Sequence, residues 1–373
     1  MTTDVSRRAK AVVYREGNDS VAVEEIRVRG PRRDEVTIKL GACGVCHSDL
    51  SATNGTIPIP PPLVLGHEGA GVVVEVGEGV TELSVGDHLV TMFVSMCGKC
   101  RYCVTGRPSI CDQAARAVST LPDGSVPTTD ENGDPLNVFT GCGVMAEFAT
   151  LHVDSLVRID ESIPLDRAAL IGCGVMTGVG AVFNTARVEP GSTTVVFGAG
   201  GVGLNAIQAC VLAGATMVVA VDTMDEKLEL ARKFGATHTV NASADPKVVR
   251  TLRKLTSGGA DYAFECVGSG AVVAQAYGAI RKGGTAVVVG VAPPDDMTSI
   301  STASLTFAEK KLMGSYFGSA RPRDDFPRLL GLYQAGRLML DELITNTYSI
   351  DEAPQAFVDL VAGKNARGVI VFP

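Results

Sequence analysis

A surplus of positive charge is what this sequence most clearly lacks. Its 33 lysines and arginines stand against 41 aspartates and glutamates, a formal net charge of −8. No long Lys/Arg run is present either, so nucleic acid and anionic membrane are poor partners. Long apolar runs are missing too. The most apolar stretch, Val195 to Val221, is broken by Gly198, Gly200, Gly201, Gly203 and Gly214 and carries Asn205 and Gln208. A spanning helix needs ~20 mostly apolar residues, so no membrane span is expected. The N-terminus MTTDVSRRAKAVVY has no apolar core of leader length. A soluble, cytoplasmic protein is the expectation. Internal repeats and low-complexity tracts are absent. The ten cysteines do not form a disulfide-like framework: Cys97, Cys100, Cys103 and Cys111 cluster, and Cys43, Cys46, Cys142, Cys173, Cys210 and Cys266 are scattered. In a reducing compartment, clustered cysteines are more often metal ligands than bridges.

What is present is apolar substance: 46% of the 373 residues are hydrophobic and 20% charged. A disordered chain is thereby excluded, and the length predicts two or three domains at about 100–200 residues each. Two textures alternate. Residues 8–160 are rich in short strand-like runs. Glu35 to Leu40 alternates polar and apolar, as a half-buried strand does, and Gly69 to Val76 reads as a buried one. Leu121 to Asn137 (LPDGSVPTTDENGDPLN) is polar and turn-rich and reads as an exposed excursion outside the core. From residue 190 the pattern changes. Strand signals at Thr194–Phe197, Met217–Val221, Thr237–Val240, Asp261–Cys266, Ala286–Gly290 and Leu312–Phe317 alternate with helical stretches at Val202–Leu212, Asp225–Phe234, Pro246–Leu255 and Ala271–Ile280. That alternation predicts a parallel sheet covered on both faces, and six strands complete a doubly wound dinucleotide domain. A mixed tail follows, with a helix at Asp324–Ala335 and a strand at Gly368–Phe372.

The second texture opens on Gly198-Ala-Gly200-Gly201-Val202-Gly203, between a strand and a helix. Gly198, Gly200 and Gly203 match G-x-G-x-x-G: a tight turn, close approach of a pyrophosphate, and close helix–strand packing. The helix start offers free N–H groups to phosphate. Asp222, nineteen residues past Gly203, ends the second strand. A carboxylate there accepts from a ribose diol and repels a 2′-phosphate, which favours NAD over NADP. Lys227 follows closely, within reach of the adenosine ribose or as a solvated helix charge.

Two metal constellations stand out. Cys97-x2-Cys100-x2-Cys103-x7-Cys111 puts four thiolates on one loop, enough for a closed structural zinc. An iron–sulfur cluster is the rival, disfavoured by the long last spacing and by the lack of a Pro after Cys111. The other set is dispersed: Cys46-His-Ser-Asp49, Gly66-His67-Glu68-Gly69, and Gly172-Cys173-Gly174. Singly such residues are more often core than ligand, but Cys46, His67 and Cys173 together could give a three-ligand zinc with an open fourth position. Cys43 is read as a core residue.

With these motifs, plus Gly44-Val-Cys-His-Ser-Asp49, Leu65-Gly-His-Glu-Gly69, Leu170-Ile-Gly-Cys-Gly174 and Gly363-Lys-Asn-Ala-Arg367, the chain resembles the zinc-dependent medium-chain alcohol dehydrogenases over nearly its full length. The resemblance implies an α/β protein: a discontinuous GroES-like, β-rich catalytic domain (1–174 and 318–373) and a doubly wound Rossmann NAD-binding domain (175–317). The active site would lie in the cleft between the two. It implies two zinc ions per chain, catalytic on Cys46, His67 and Cys173 and structural on Cys97, Cys100, Cys103 and Cys111. By the same resemblance Asp49 fixes the tautomer of His67, Glu68 is a carboxylate near the metal, and Ser48 relays the proton. Arg367 and His47 meet the pyrophosphate, Gly201 belongs to the phosphate turn, and Thr177 and Val202 shape the nicotinamide side. Many members carry a His two residues after Asp49. Here it is Ser51, so the relay must end at His47 or in water.

The implied reaction is hydride transfer from a zinc-bound alkoxide to NAD, reversibly, oxidising primary alcohols to aldehydes, with aromatic and allylic alcohols as candidates. The pocket would be lined by Ser48, Ile57, Phe93, Arg116, Phe139, Thr140, Val291 and Tyr316. An inward Arg116 would favour an anionic tail, as in S-(hydroxymethyl)glutathione dehydrogenases; a solvated Arg116 is the alternative, and Ile57 stands where those relatives tend to have an acid. A non-catalytic zinc-binding module on this fold is a further alternative. The excursion resembles that of the long-loop branch, whose members are usually dimers. A homodimer through the edge Met297–Phe317 is therefore expected, with a tetramer as the alternative.

Overall fold

The structure, a computed structural model, describes residues 6–17 and 20–373. Residues 1–5, on which part of the N-terminal reading falls, lie outside the described residues. The contacts divide the chain into two units. One holds residues 1–173, 321–334 and 340–373; the other holds 174–320 and 335–339. Against the expected domains, 174 and 318–320 pack with the second unit, as does the short segment 335–339.

The first unit is β-rich. Strands Arg7–Tyr14, Ala22–Val28, Thr128–Thr129, Pro135–Val138 and Leu63–Val64 close a barrel. A second sheet is built on the long strand Glu35–Val45, which pairs antiparallel with Gly69–Val76, Phe148–His152 and Arg367–Val371. Alternation along Glu35–Val45 puts Val36, Ile38 and Leu40 into one apolar core with Val73, Leu89 and Leu151. Each such side chain contributes about 1.5–3 kcal/mol on full burial. The polar excursion is corrected here. Thr128–Thr129 and Pro135–Val138 are barrel staves, and Leu121, Leu136 and Val138 are fully buried. Its turns do face solvent, but the backbone between them pairs, and pairing carries every second side chain inward.

The second unit is a six-stranded parallel sheet in the order His238–Asn241, Met217–Asp222, Thr193–Phe197, Ala260–Glu265, Ile280–Val288, Lys311–Gly314. In chain order within the unit that is 3-2-1-4-5-6, the arrangement of doubly wound dinucleotide domains. Strands covered on both faces need apolar residues on both. Val195, Phe197, Val219, Val221, Ala263 and Ala286 supply one face, and the alternating Val196, Val218, Ala220, Phe264 and Val287, all buried, supply the other.

The helical run Leu165–Ala186 is long and apolar enough to cross a membrane by length and composition, but 83% of its most apolar window is buried inside the fold, as befits a core helix. Its apolar character satisfies packing on all sides.

Candidate active site

Three separate segments of the first unit converge on one point. Cys46 directly follows the strand Glu35–Val45 and caps the helix His47–Thr53. His67 and Glu68 lead into Gly69–Val76, and Cys173 sits in the helical run behind them. The ligand atoms of Cys46, His67, Glu68 and Cys173 lie within 4.8 Å of one another, and all four residues are buried. Two glycines permit this approach. A Cβ on Gly44 would sit 2.2 Å from Glu68 Oε2, and one on Gly172 would sit 2.6 Å from the Thr91 carbonyl.

His67 is held by its surroundings. Its Nδ1 lies 3.2 Å from Asp49 Oδ1, and its ring meets Phe93 and Phe139 edge-on, at 5.7 and 5.2 Å between centroids. Asp49, fully buried, also accepts from the N–H of Gly66 at 2.9 Å and of Cys46 at 3.3 Å. With Nδ1–H donated to Asp49, the Nε2 lone pair is free for a metal. Nε2 is indeed buried with no hydrogen-bond partner among the described residues. A buried imidazole nitrogen without a partner beside two buried sulfurs is a donor set that suits a soft divalent cation.

The electrostatics say the same. A hydrogen bond from Cys173 and the nearby His67 push Cys46 well below the usual thiol range against the effect of burial. The same bond and burial push Cys173 well above it. The two thiols therefore do not both ionise readily, and a divalent ion would relieve both. Burial tends to lower His67, but Asp49 and Cys46 outweigh it and raise it well above the usual imidazole value. Burial pushes Glu68 up to about 7 despite its ion pair with Arg367.

The four-cysteine lobe is a second donor set. Cys97, Cys100, Cys103 and Cys111 place their sulfurs within 4.8 Å of one another. Sγ of Cys111 lies 3.5 Å from that of Cys97 and 3.8 Å from that of Cys100. A tetrahedron with zinc–sulfur arms of ~2.3 Å has edges of about 3.8 Å, so the spacing fits one ion and is too tight to enclose a cluster of several irons. Backbone N–H groups of Cys97 and Cys100 donate to sulfur, on Cys111 and Cys97. Hydrogen bonds, those from the backbone foremost, pull Cys100 down to about 6.

In the second unit, the turn after Thr193–Phe197 has the shape its glycines require. Gly198 has φ +88°, and a Cβ on Gly203 would lie 1.7 Å from the Gly198 carbonyl. Gly200 caps the helix Gly201–Leu212, and a Cβ there would meet nothing within 4 Å. The turn therefore presents open space at a helix start, where phosphate binds. Asp222 Oδ2 accepts from the Ala199 N–H at 2.7 Å, and Oδ1 accepts from the N–H groups of Thr223 and Met224. Asp222 thus braces the glycine turn itself, a role its spacing alone does not disclose.

Comparison with known proteins agrees with this geometry. Residues 32–161 match the alcohol dehydrogenase GroES-like domain, and residues 201–335 match the zinc-binding dehydrogenase domain. The chain belongs to the zinc-dependent medium-chain alcohol dehydrogenases. It is 42% identical to an NDMA-dependent alcohol dehydrogenase of Amycolatopsis methanolica, over 98% of this chain and 99% of that one. Among solved structures, an alcohol dehydrogenase zinc-binding domain protein from Burkholderia ambifaria superposes with a TM-score of 0.94 at 35% identity, covering 99% of this chain and 100% of the other. The benzyl alcohol dehydrogenase of Acinetobacter calcoaceticus does so at 0.91 and 33%, covering 98% and 100%. The chain is thus an oxidoreductase of this family.

The remaining expected residues of this dehydrogenase fall into groups. Ser48 is half-buried, its Oγ 3.7 Å from Cys46 Sγ; His47, beside it, is exposed. Phe93 and Phe139 wall the metal set, and Thr140, next in sequence, has φ 53°. Ile57 packs on the first unit's core, and Arg116 is exposed. Thr177, Val202 and Lys227 belong to the second unit, as do Val291 and Tyr316, which are 54% and 53% exposed. Cys43 is fully buried in the core. Arg367, expected as a cation for pyrophosphate, is buried, and its Nη2 pairs with Glu68. The two lie 299 residues apart in sequence, and no local pattern announces the pair.

Proposed function

We propose that this chain is an NAD-linked dehydrogenase that converts primary alcohols with an apolar body, aromatic or allylic ones included, to aldehydes and back. The observation that carries the reading is the buried set Cys46, His67 and Cys173, with His67 Nε2 lacking a partner. These residues would hold a catalytic zinc, and Cys97, Cys100, Cys103 and Cys111 a structural one. When bound, zinc supplies a Lewis acid that acidifies the alcohol, and NAD supplies the hydride acceptor. The protein does the rest. Asp49 orients His67. Ser48 takes the hydroxyl proton and hands it outward toward His47 or water. Phe93 and Phe139 exclude water and favour a hydrophobic substrate.

In the second unit, Gly198, Gly200, Gly201 and Gly203 bind the pyrophosphate. Asp222, with Lys227 near it, takes the adenosine ribose and selects NAD over NADP. Thr177 and Val202 flank the nicotinamide. The segment that leads into the edge strand Lys311–Gly314 carries Met297 and Phe307, 83% and 86% exposed, and we assign a homodimer contact to that edge. Ten free cysteines suit a reducing cytoplasm.

The test is metal analysis together with an alcohol screen. The screen pairs benzyl alcohol, hexanol, allylic alcohols and S-(hydroxymethyl)glutathione with NAD⁺, NADP⁺ or NDMA as acceptor. Two zincs per chain and NAD⁺ reduction by benzyl alcohol or hexanol are expected. Zinc-loaded protein inert on every alcohol would return the chain to a binding module. Turnover confined to the glutathione adduct would move the substrate to that class.

A further inference from the structure

Three consecutive residues near the end of the second unit run left-handed. Phe317, Gly318 and Ser319 have φ of 54°, 63° and 50°. Residues with a side chain avoid this region, and a run of them persists only where the surroundings over-determine it. Here they do. Asn184 Nδ2 donates to the Gly318 carbonyl at 3.2 Å. Thr185 Oγ1 lies 2.8 Å from the hydroxyls of both Ser315 and Ser319 and shares a hydrogen bond with each. Gly318 packs so closely that a Cβ on it would lie 2.4 Å from the Met176 carbonyl, and one on Gly180 would lie 2.3 Å from the Gly318 carbonyl. Phe317 is buried.

Sheet order gives this turn a purpose. It follows the strand Lys311–Gly314 and so emerges at the carboxyl ends of the parallel strands, as the turn Gly198–Gly203 does. A dinucleotide lies across that end, one half on each side of the first strand. Asp222 is on one side, with the adenosine. Residues 315–319 are on the other, past Ala260–Glu265 and Ile280–Val288.

We propose that Thr185 and Asn184 are positioning residues for the nicotinamide half, because they fix the left-handed turn 317–319 in the form that half binds against. The inference rests on the reading that the second unit binds NAD. Thr185→Val keeps the shape but leaves the Ser315 and Ser319 hydroxyls without their shared partner.

The experiment measures binding of NAD⁺ and of AMP, the adenosine half alone, to the full-length zinc-loaded protein, with steady-state kinetics on benzyl alcohol. For Thr185→Val the expected result is NAD⁺ binding weakened about tenfold or more, with KM for NAD⁺ raised alike and AMP binding unchanged. Thr185→Ser, which restores the hydroxyl, should recover NAD⁺ binding. If Thr185→Val does not fold, Ser319→Ala reads the same NAD⁺-to-AMP contrast. Unchanged NAD⁺ affinity, or equal weakening of AMP and NAD⁺, overturns the assignment. Wild-type protein that binds neither ligand would overturn the dinucleotide reading, and this inference with it.

Discussion

Asp49→Asn is the sharpest test of how the first unit prepares its metal set. The carboxylate accepts three N–H groups, from Gly66 and His67 on one oxygen and from Cys46 on the other. Two of those donors belong to the proposed ligands themselves. Asparagine keeps the volume and one oxygen. Its NH₂ must then face either the Cys46 N–H or the pair from Gly66 and His67, donor against donor, in a fully buried place. Replacing such a brace costs about 10–100-fold in metal affinity or activity, or about 1.4–2.7 kcal/mol at ~1.36 kcal/mol per decade. The assay is zinc retained per chain after dialysis against graded chelator, with kcat/KM measured on the zinc-replete enzyme. Loss of one zinc at lower chelator than wild type, the four-cysteine zinc persisting, is expected. Zinc retention and kcat/KM both within twofold of wild type would refute the claim that Asp49 sets the His67 donor.

Three further predictions are separable from it. Cys111→Ser should lower zinc by one per chain and lower the melting temperature, because the four sulfurs lose their closed shell; metal analysis and calorimetry decide, and unchanged zinc content would refute a site there. Gly203→Ala places a Cβ 1.7 Å from the Gly198 carbonyl, so NAD⁺ binding by calorimetry should be abolished or the protein should not accumulate; wild-type affinity would contradict the turn geometry. Glu265 is raised by burial although the Val267 and Gly268 N–H groups donate to one oxygen. A folded-state value above the unfolded one means that its stabilising contribution is full below the unfolded pKa and is lost as pH rises through the folded value. Glu265→Gln should therefore gain stability relative to wild type as pH rises from 5 to 8, read as a growing difference in melting temperature; a constant difference would refute it.

Much of this was legible because the chemistry demands unusual residues. Six strands alternating with helices, and the glycines at 198, 200 and 203, follow from turns and close packing that few other sequences satisfy. The elements were harder to read where local and long-range demands conflict. The run Leu165–Ala186 carries Gly172, Gly174, Gly178 and Gly180, which argue against a helix. Yet a Cβ on Gly178 would lie 2.3 Å from the Val202 carbonyl, so packing requires the residue that propensity disfavours. In Leu121–Asn137 the paired stretches are two and four residues long, too short to show alternation among Pro, Asp and Gly. The left-handed turn at Phe317 was not legible, because only Gly318 of its three residues advertises positive φ.

The pairing of Glu68 with Arg367 follows from charge balance around the metal set. Cys46, Cys173 and Glu68 are three acids in one buried place, and Arg367, also buried, is a fixed cation ion-paired with Glu68. An isolated buried carboxylate is expensive and shifts its pKa to escape ionisation. The rise of Glu68 to about 7 is that escape, incomplete because Arg367 opposes it. With all three acids ionised and Arg367 counted, two negative charges remain, which is what a divalent ion neutralises. A second buried cation in place of Glu68 would leave the set positive, and a missing Arg367 would leave it negative. The guanidinium drawn from the far end of the chain therefore makes a two-thiolate site with a buried carboxylate compatible with a dry interior.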